Sequence, residues 1–208
     1  MARYTGPVCR LCRRENTKLF LKGDRCATTK CPVDRRATVP GQHGAANKKG
    51  KEYFMQLREK QKARRYYGVL EKQFKNYFEK ADAKEGITGE NLFATLELRF
   101  DNVVYRMGLA SSRKEARQLV RHAHFQLNGK KADIPSILLK VGDTVTLKEK
   151  SRKSPKFVEL IETRPASSMP KWLEYDEETY TAKVIALPTK EDIDFDFKDN
   201  LIVEFYSK

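Results

Sequence analysis

The stretch RFDNVVYRMGLA at residues 99–110 and the stretch SRKEARQLVR at residues 112–121 decide the fold of this chain. In and just before the first stretch, apolar side chains recur at the spacing of one helix face, and Gly108 ends the run. These apolar positions are Leu96, Phe100, Val103, Val104 and Met107. The second stretch opens with Ser112-x-x-Glu115, the pattern of a capping box at a helix N-terminus. The two stretches therefore predict a pair of short helices.

The second predicted helix separates apolar from basic side chains. Its apolar face consists of Ala116, Leu119, Val120 and Ala123. The basic side chains predicted to project from the other side are Arg113, Lys114, Arg117 and Arg121, with Arg106 of the preceding helix nearby. We expect this basic side to contact a polyanion.

A hairpin and a further strand follow the two helices. Residues 125–127 alternate into Asn128-Gly129, a strong signal of a type I′ hairpin, and Lys130 and Lys131 come directly after the turn. Residues 141–147, VGDTVTL, predict a turn into another alternating strand. Two helices that present cations beside a small antiparallel sheet suit recognition of RNA shape and backbone better than reading of a major groove.

The charge of the chain is large, positive and uneven. Its 208 residues include 42 Lys and Arg against 28 Asp and Glu, a formal net charge of +14 with a pI near 9.6. Residues 1–80 carry +14, residues 81–165 carry +5 and residues 166–208 carry −5. A basic first part with interleaved aromatic residues indicates a nucleic-acid partner, whereas a surface made only for solubility usually mixes both signs. The acidic last part would repel RNA, so we expect it to face solvent, another protein or the chain's own basic part.

The basic first part contains a predicted helical region. Tyr53, Phe54 and Leu57 open an amphipathic helix, and a second apolar stripe, interrupted by Gly68, is predicted to be core rather than a surface that stacks on bases. That stripe consists of Tyr67, Leu70, Phe74, Tyr77 and Phe78. The predicted RNA contacts of the first part are Arg10, Arg13, Arg14, Arg35, Arg36, His43, Lys48, Lys49, Arg58, Lys60, Lys62, Arg64 and Arg65. Because phosphate contacts release counterions, binding should weaken steeply with salt.

The four cysteines, Cys9, Cys12, Cys26 and Cys31, all fall within the first 31 residues, as Cys-x2-Cys and Cys-x4-Cys separated by thirteen residues. This spacing favours a structural Zn²⁺ bound by all four thiolates, which would stabilise residues 1–45, where too few apolar side chains exist to form a core. An iron–sulfur cluster uses the same ligands and stays open. Disulfides are disfavoured in a reducing compartment, and a redox pair needs a βαβ context that is absent. His43 is an alternative ligand, although an RNA contact or a plain loop position suits its turn better.

Other classes of protein find little support in the sequence. No stretch approaches the roughly 20 apolar residues of a membrane span, and no apolar run follows the first seven residues as in a signal peptide, so we expect a cytoplasmic protein. There is no phosphate-binding Gly-rich loop and no Gly-x-Ser-x-Gly motif. The three histidines, His43, His122 and His124, show no metal-binding spacing with carboxylates. The chain is therefore predicted not to be an enzyme.

The C-terminal segment supports three structural predictions. Residues 201–206 alternate in a way that predicts a terminal strand, and Trp172 is predicted to be a packing anchor. The alternating acids Asp192, Asp194, Asp196 and Asp199 are expected to form an exposed loop rather than a cation site.

The stretch at residues 99–110, together with the motifs after it, closely resembles the S-four RNA-binding domain. The further matching motifs are Ser112-Arg113, Ala116-Arg117-Gln118, His122, Asn128-Gly129, Ile134-Pro135-Ser136 and Gly142-Asp143. That domain also occurs in pseudouridine synthases, some aminoacyl-tRNA synthetases and heat-shock RNA-binding proteins. A pseudouridine synthase would need a further catalytic domain of well over 100 residues, for which the chain has no room.

The flanking motifs distinguish among these possibilities. PGQHG at residues 40–44, LREKQK at 57–62, GITG at 86–89 and LIVEFYS at 201–207 resemble the bacterial-type ribosomal protein S-four family, in the same order and over nearly the whole chain. The four cysteines resemble the zinc-bearing branch of that family. Two departures are Phe100, where Leu is usual, and Lys190, where Arg is common.

The resemblance implies a function that composition and spacing do not show. A member of this family is a primary binder of the 5′ domain of 16S rRNA, where it nucleates assembly of the body of the small subunit. The resemblance also implies a monomer within the ribosome, next to proteins S-five and S-three, with an influence on translational accuracy. Some members repress their own mRNA. A free regulatory RNA binder outside the ribosome is the alternative.

The predicted fold is α+β, a helical domain with an inserted S-four type module of two helices and a small antiparallel sheet, and a metal-bound N-terminal extension. The predicted segments are a zinc knuckle at 1–45, a helical rRNA-binding region at 46–95, the S-four domain at 96–165, and a C-terminal segment at 166–208 that returns to the helical domain on family likeness.

Overall fold

A computed structural model describes residues 3–36, 38–44, 50–163 and 169–207. The chain forms two compact units, one made of Met1–Leu92 with Phe195–Lys208 and the other of Phe93–Asp194. Within the described residues, no helix is both long and apolar enough to cross a lipid bilayer.

The first unit is helical. Its helices are α1 (Cys9–Glu15), α2 (Pro32–Arg35), α3 (Glu52–Tyr66), α4 (Glu71–Asp82), the start of α5 (Thr88–Glu97) and the terminal helix at Asp199–Tyr206. A 3-10 turn lies at Gly23–Cys26. Gly68 separates α3 from α4 with φ of +65°, a conformation that a residue without a Cβ adopts easily. The predicted helical region is therefore present.

An aromatic cluster fills the interior of the first unit. Tyr66 of α3 packs edge-on against Phe197 with ring centroids 5.3 Å apart, and Phe78 of α4 stacks on Tyr206 at 4.5 Å. The predicted core residues Tyr67, Phe74, Tyr77 and Phe78 are all buried. Leu70 is not, because it precedes the first residue of α4 and stays exposed.

The C-terminal strand prediction is wrong, because residues Asp199–Tyr206 form a helix that packs against α3. Five of the six residues at 201–206 are apolar, so the run fits a helix period as well as alternation. Ile202 is completely buried and Asp199 lies in the first turn, where a carboxylate complements the helix dipole.

The second unit combines helices with one antiparallel sheet. Its helices are α6 (Phe100–Arg106), α7 (Arg113–Arg121), α8 (Glu149–Arg152) and α9 (Pro155–Glu162), so the terminal helix Asp199–Tyr206 is α10. Its strands are β1 (Phe125–Leu127), β2 (Lys130–Lys131), β3 (Thr144–Leu147), β4 (Leu173–Asp176) and β5 (Thr181–Val184). They are ordered β2-β1-β3-β5-β4, and Leu127 pairs with Lys130 on one side and Val145 on the other. The mixed helical and antiparallel architecture is as predicted, with more strands than the motifs showed.

The predicted helical stripe forms the centre of the second unit. Leu96, Phe100, Val103, Val104 and Met107 are all fully buried. The stripe is split between α5 and α6 at Arg99, because the Phe100 N–H leaves the helix pattern and donates to the Ile137 carbonyl at 2.9 Å. Trp172, with 1% of its surface exposed, is the packing anchor that the sequence predicted.

The predicted hairpin connects β1 to β2. Asn128 and Gly129 have φ of +49° and +75°, as a type I′ turn requires. The Asn128 side chain also fixes the next strand, because its Oδ1 accepts from the Thr144 N–H at 2.8 Å. The turn therefore places Lys130 and Lys131 at the exposed edge of the sheet.

Candidate nucleic-acid interface

Helix α7 begins with a capping arrangement that differs slightly from the predicted one. The Ser112 Oγ accepts from the Glu115 N–H at 3.3 Å, as in a capping box. The Glu115 carboxylate instead accepts from the N–H and hydroxyl of Ser111, at 2.8 and 2.6 Å. Burial raises the pKa of Glu115, but these bonds and Lys156 lower it by more than burial raises it. The pKa of Glu115 therefore lies below its ordinary value.

The burial along α7 determines which cations face solvent. Ala116 and Val120 are fully buried, whereas Lys114 and Arg121 are exposed on the other side. Ala123 lies beyond the helix with φ of +57°, so it is not part of the buried face. His122, the residue after the helix, is exposed. Burial lowers the pKa of the nearby His124, whose Nδ1 lies 2.9 Å from the Ser151 hydroxyl.

Arg117 does not project to solvent as predicted. It is 4% exposed, and its Nη1 donates to Asp101 Oδ2 at 3.4 Å. The same carboxylate accepts from Arg99 Nε and Nη2 at 3.0 and 2.7 Å. Asp101 therefore serves as the counter-ion of two buried guanidiniums, which keeps their burial from being prohibitively costly.

Arg106 is also buried, against the prediction. Its Nε and Nη2 donate to the two oxygens of Glu97 at 2.8 and 3.0 Å, and its Nη1 contacts Asp194. Arg113 lies beside the same network, with its Nε donating to Asn102 at 2.7 Å and its guanidinium 4.4 Å from the Tyr105 ring centre. These arginines hold the second unit together, so the exposed cations of its predicted set are Lys114, Arg121, Lys130 and Lys131.

The acidic C-terminal run is not simply the exposed loop that was predicted. Asp192 closes a capping box with Thr189 at the 3-10 helix Lys190–Asp192. Asp194 is exposed but contacts Arg106, and Asp199 is buried at the start of α10. Three of the four acids therefore have structural roles within their own units.

The cations of α3 lie at intermediate depth in the first unit. Arg58 and Arg65 both contact Glu15 of α1, whose side chain is completely buried. Burial raises the pKa of Glu15, and the guanidiniums of Arg58 and Arg65 lower it only in part. Burial likewise lowers the pKa of both arginines. The three groups form a desolvated ion-pair cluster.

The other basic residues of α3 also have partners. Lys60 is buried, and its Nζ donates to Glu71 at 2.6 Å. Lys62 donates to Glu59 at 2.7 Å. Arg64 donates to the Gln61 amide oxygen at 2.6 Å. Arg58, Lys62, Arg64 and Arg65 keep about a fifth of their side chains exposed. A phosphate can therefore reach their outer edges, but Lys60 is withdrawn.

The N-terminal extension presents further cations. Arg10, Arg14, Arg35 and Arg36 are exposed, and so is His43. Arg13 donates twice to the Thr38 carbonyl, at 3.1 and 2.7 Å, which ties α1 to the segment after α2. Lys48 and Lys49 lie outside the described residues.

The four cysteines lie near one another, and Cys12, Cys26 and Cys31 are buried. Burial raises the pKa of the Cys12 thiol, and the charges of Cys26, Cys9 and Cys31 raise it further. All four are free thiols, not disulfides. Nevertheless, no group of three or more His, Cys, Asp or Glu side chains in the described part of the chain has the arrangement of a metal site.

Several residues that the sequence did not predict as site residues lie with the cations in the structure. Glu15, Glu97, Asp101 and Asn102 accept hydrogen bonds from the arginines, and Phe54 lies beneath two of them. A signal for Asp101 was present, because it lies two residues after Arg99 and directly after Phe100 of the predicted apolar stripe. Glu15 gave no signal, since its partners lie 43 and 50 residues away.

Comparisons with known proteins agree along the whole chain. The family described as ribosomal protein S4/S9 N-terminal domain matches residues 3–97, and the S4 domain matches residues 98–145. The small ribosomal subunit protein uS4 of Acetivibrio thermocellus is 64% identical over 208 residues, which is all of both chains. The uS4 proteins of Heliobacterium modesticaldum and Clostridioides difficile are each 61% identical, again over the full length of both chains. The chain therefore belongs to the uS4 family of small ribosomal subunit proteins.

Proposed function

We propose that this chain is a structural constituent of the small ribosomal subunit that binds 16S rRNA in the cytoplasm, and that it is not an enzyme. The observation that carries the proposal is the full-length similarity to small-subunit proteins, 64% over all 208 residues. The surface charge is consistent with it, since a net charge of +14 gives the chain a strong attraction for a polyphosphate.

The proposed mechanism assigns different tasks to buried and exposed cations. Exposed Lys114, Arg121, Lys130 and Lys131 contact phosphates, and the outer edges of the α3 arginines do the same in the first unit. Buried Arg99, Arg106 and Arg117 hold the second unit in shape for that contact. Many phosphate contacts on a preformed surface fix the geometry of a folded RNA without reading its bases.

We further propose that the chain binds the 5′ domain of the rRNA early and nucleates assembly of the subunit body, which supports translational accuracy. The acidic segment at 166–208, with a net charge of −5, suits contact with other proteins more than with RNA. Proteins S-five and S-three are the neighbours that the family resemblance implies. Binding of the chain's own mRNA uses the same cationic surface.

We propose a structural Zn²⁺ on Cys9, Cys12, Cys26 and Cys31. The four thiols are free, three of them are buried, and the other three cysteines raise the pKa of Cys12, so the four form a donor set that suits this ion. Bound zinc would hold residues 1–45 together in place of an apolar core. Metal analysis of the purified chain should give about one zinc atom per chain, and Cys26→Ala should lose it; iron in its place would indicate a cluster.

The test of the main proposal is filter binding to the 5′ domain of 16S rRNA, with tRNA as competitor, over a salt series. Tight binding that resists the competitor and falls steeply with salt supports the assembly role. Binding no tighter than to tRNA contradicts it. Tight binding to the chain's own mRNA with weak binding to rRNA would favour a regulatory protein instead.

A further inference from the structure

Three consecutive side chains at the start of α3 are exposed although they are apolar. Tyr53, Phe54 and Met55 have 57%, 41% and 51% of their surfaces exposed, whereas the sequence pattern placed Tyr53 and Phe54 on the apolar side of the helix. Consecutive positions of a helix point in different directions, and Tyr53 packs against Phe205 with ring centroids 5.5 Å apart, so the three side chains do not share one face.

Phe54 differs from the other two because two guanidiniums lie near its ring. The guanidinium carbon of Arg58 lies 5.7 Å from the ring centre, and that of Arg14 lies 6.0 Å from it. The ring edge also lies over Gly50, where an added Cβ would come within 2.6 Å of Phe54 Cδ1. The missing side chain at Gly50 thus leaves room for the ring, and two guanidiniums lie near it.

One of these arginines, Arg58, is paired with a buried carboxylate. Arg58 Nη1 donates to Glu15 Oε1 at 3.4 Å, and the Glu15 side chain is fully buried. Glu15 follows Arg14 on α1, so the buried carboxylate lies beside both cations. Another acid near the ring is Glu52, two residues before Phe54 on α3, whose Oε1 accepts from Gln56 Nε2 at 3.1 Å.

We propose that Phe54, with Arg14 and Arg58, is a stacking site for one unpaired RNA base, whose adjoining phosphate the two arginines contact. The inference rests on the proposed rRNA-binding function and adds a specific ligand group to it. A base with its phosphate satisfies both the ring and the cations, because π-faces stack on rings and guanidiniums, and phosphate accepts from guanidinium donors. An apolar protein surface would cover the ring but would also desolvate both guanidiniums and give them no acceptor beyond Glu15.

Fluorescence of Phe54→Trp tests the stacking directly, because an indole that stacks on a base loses emission. The chain has a single tryptophan, Trp172, which is buried and should not respond. Titration of the full chain with hexaadenylate should quench Phe54→Trp. The matched control Ile87→Trp, at a 61% exposed position of the first unit, should stay unquenched. An unquenched Phe54→Trp, or equal quenching of both variants, would overturn the stacking site.

Affinity for the 5′ domain of 16S rRNA provides the second measurement. Phe54→Ala and Phe54→Leu should both weaken binding by about tenfold, and Phe54→Tyr should bind as the unchanged chain does. Equal binding by all four proteins would show that the ring does not stack, while leaving the proposed function intact. If the unchanged chain binds rRNA no better than tRNA, the proposed function fails, and the fluorescence titration still decides whether Phe54 stacks on a base. If hexaadenylate does not quench Phe54→Trp and the Phe54 variants lose binding only to a protein partner, the assignment of this site to RNA is contradicted.

Discussion

The two units use arginine in opposite ways. In the second unit Arg99, Arg106 and Arg117 are at most 5% exposed, and they bond to Asp101 and Glu97. In the first unit the α3 arginines share acidic partners but keep their outer edges in solvent. The two sets are the same in a charge count, yet one is buried in ion pairs and the other keeps part of its charge at the surface.

The difference follows from the cost of burying a charge. The desolvation cost of a buried guanidinium is offset only by well-placed carboxylates. A buried arginine therefore stays bonded to those carboxylates and does not contact a phosphate. A cation that keeps solvent contact loses little when it exchanges water for a phosphate. The comparison therefore predicts stability effects in the second unit's network and binding effects at its exposed cations.

The largest effect is expected at Asp101. Asp101→Ala removes the carboxylate shared by Arg99 and Arg117, and we expect it to lower the free energy of unfolding by about 3–5 kcal/mol. Urea denaturation followed by circular dichroism measures this loss. Asp133→Ala, at an exposed position, is the control and should change stability little. Equal effects of the two substitutions would mean that the network is not a stabilising unit.

The exposed cations should behave in the reverse manner. The double substitution Lys114→Ala with Arg121→Ala should leave the urea midpoint nearly unchanged but lower the slope of log affinity against log salt by about 2, because each cation contacts one phosphate. Filter binding to 16S rRNA gives the slope. An unchanged slope would show that α7 does not touch the RNA backbone.

Glu15 should give the first unit an unusual dependence on pH. Burial raises its pKa above the ordinary 4.5, so its contribution to stability is present below that value and is lost as the pH rises through the folded-state pKa. Relative to Glu15→Gln, the unchanged chain should lose stability as the pH rises above 4.5 and through the raised pKa of Glu15. Unfolding free energies of both proteins over that range test the sign, and a difference that grows with pH in favour of the unchanged chain would contradict it.

Glu115 in the second unit should show the smallest effect, with the opposite sign. Burial raises its pKa, but the bonds from Ser111 and Lys156 prevail and lower it below 4.5. Its contribution is therefore present above pH 4.5 and is lost as the pH falls through the lowered pKa. Compared with Glu115→Gln, the advantage of the unchanged chain should shrink on acidification. A constant difference across the titration would indicate that the α7 cap does not depend on ionised Glu115.

Local patterns were enough to predict the central part of the second unit. The spacing of Phe100, Val103 and Met107 predicted a buried helix face, and Asn128-Gly129 predicted the type I′ turn, because both are determined by residues near in sequence. The same reasoning failed at residues 201–206, where a continuous apolar run has no distinctive period. There, packing of α10 against α3 selected the helix.

The sequence by itself determined the family, the charge imbalance and the positions of the cations along the chain. It did not determine which cations face the solvent. Arg117 is buried because Asp101 lies 16 residues away in sequence but within hydrogen-bond reach, and Arg106 reaches Asp194 across 88 residues. The cations near Phe54 depend on tertiary structure in the same way, since α1 brings Arg14 within 6.0 Å of the ring centre of this α3 residue. Periodicity specifies the face of a helix, but only the tertiary structure supplies the partner that covers it, because the desolvation of each charge depends on groups that are distant in the chain.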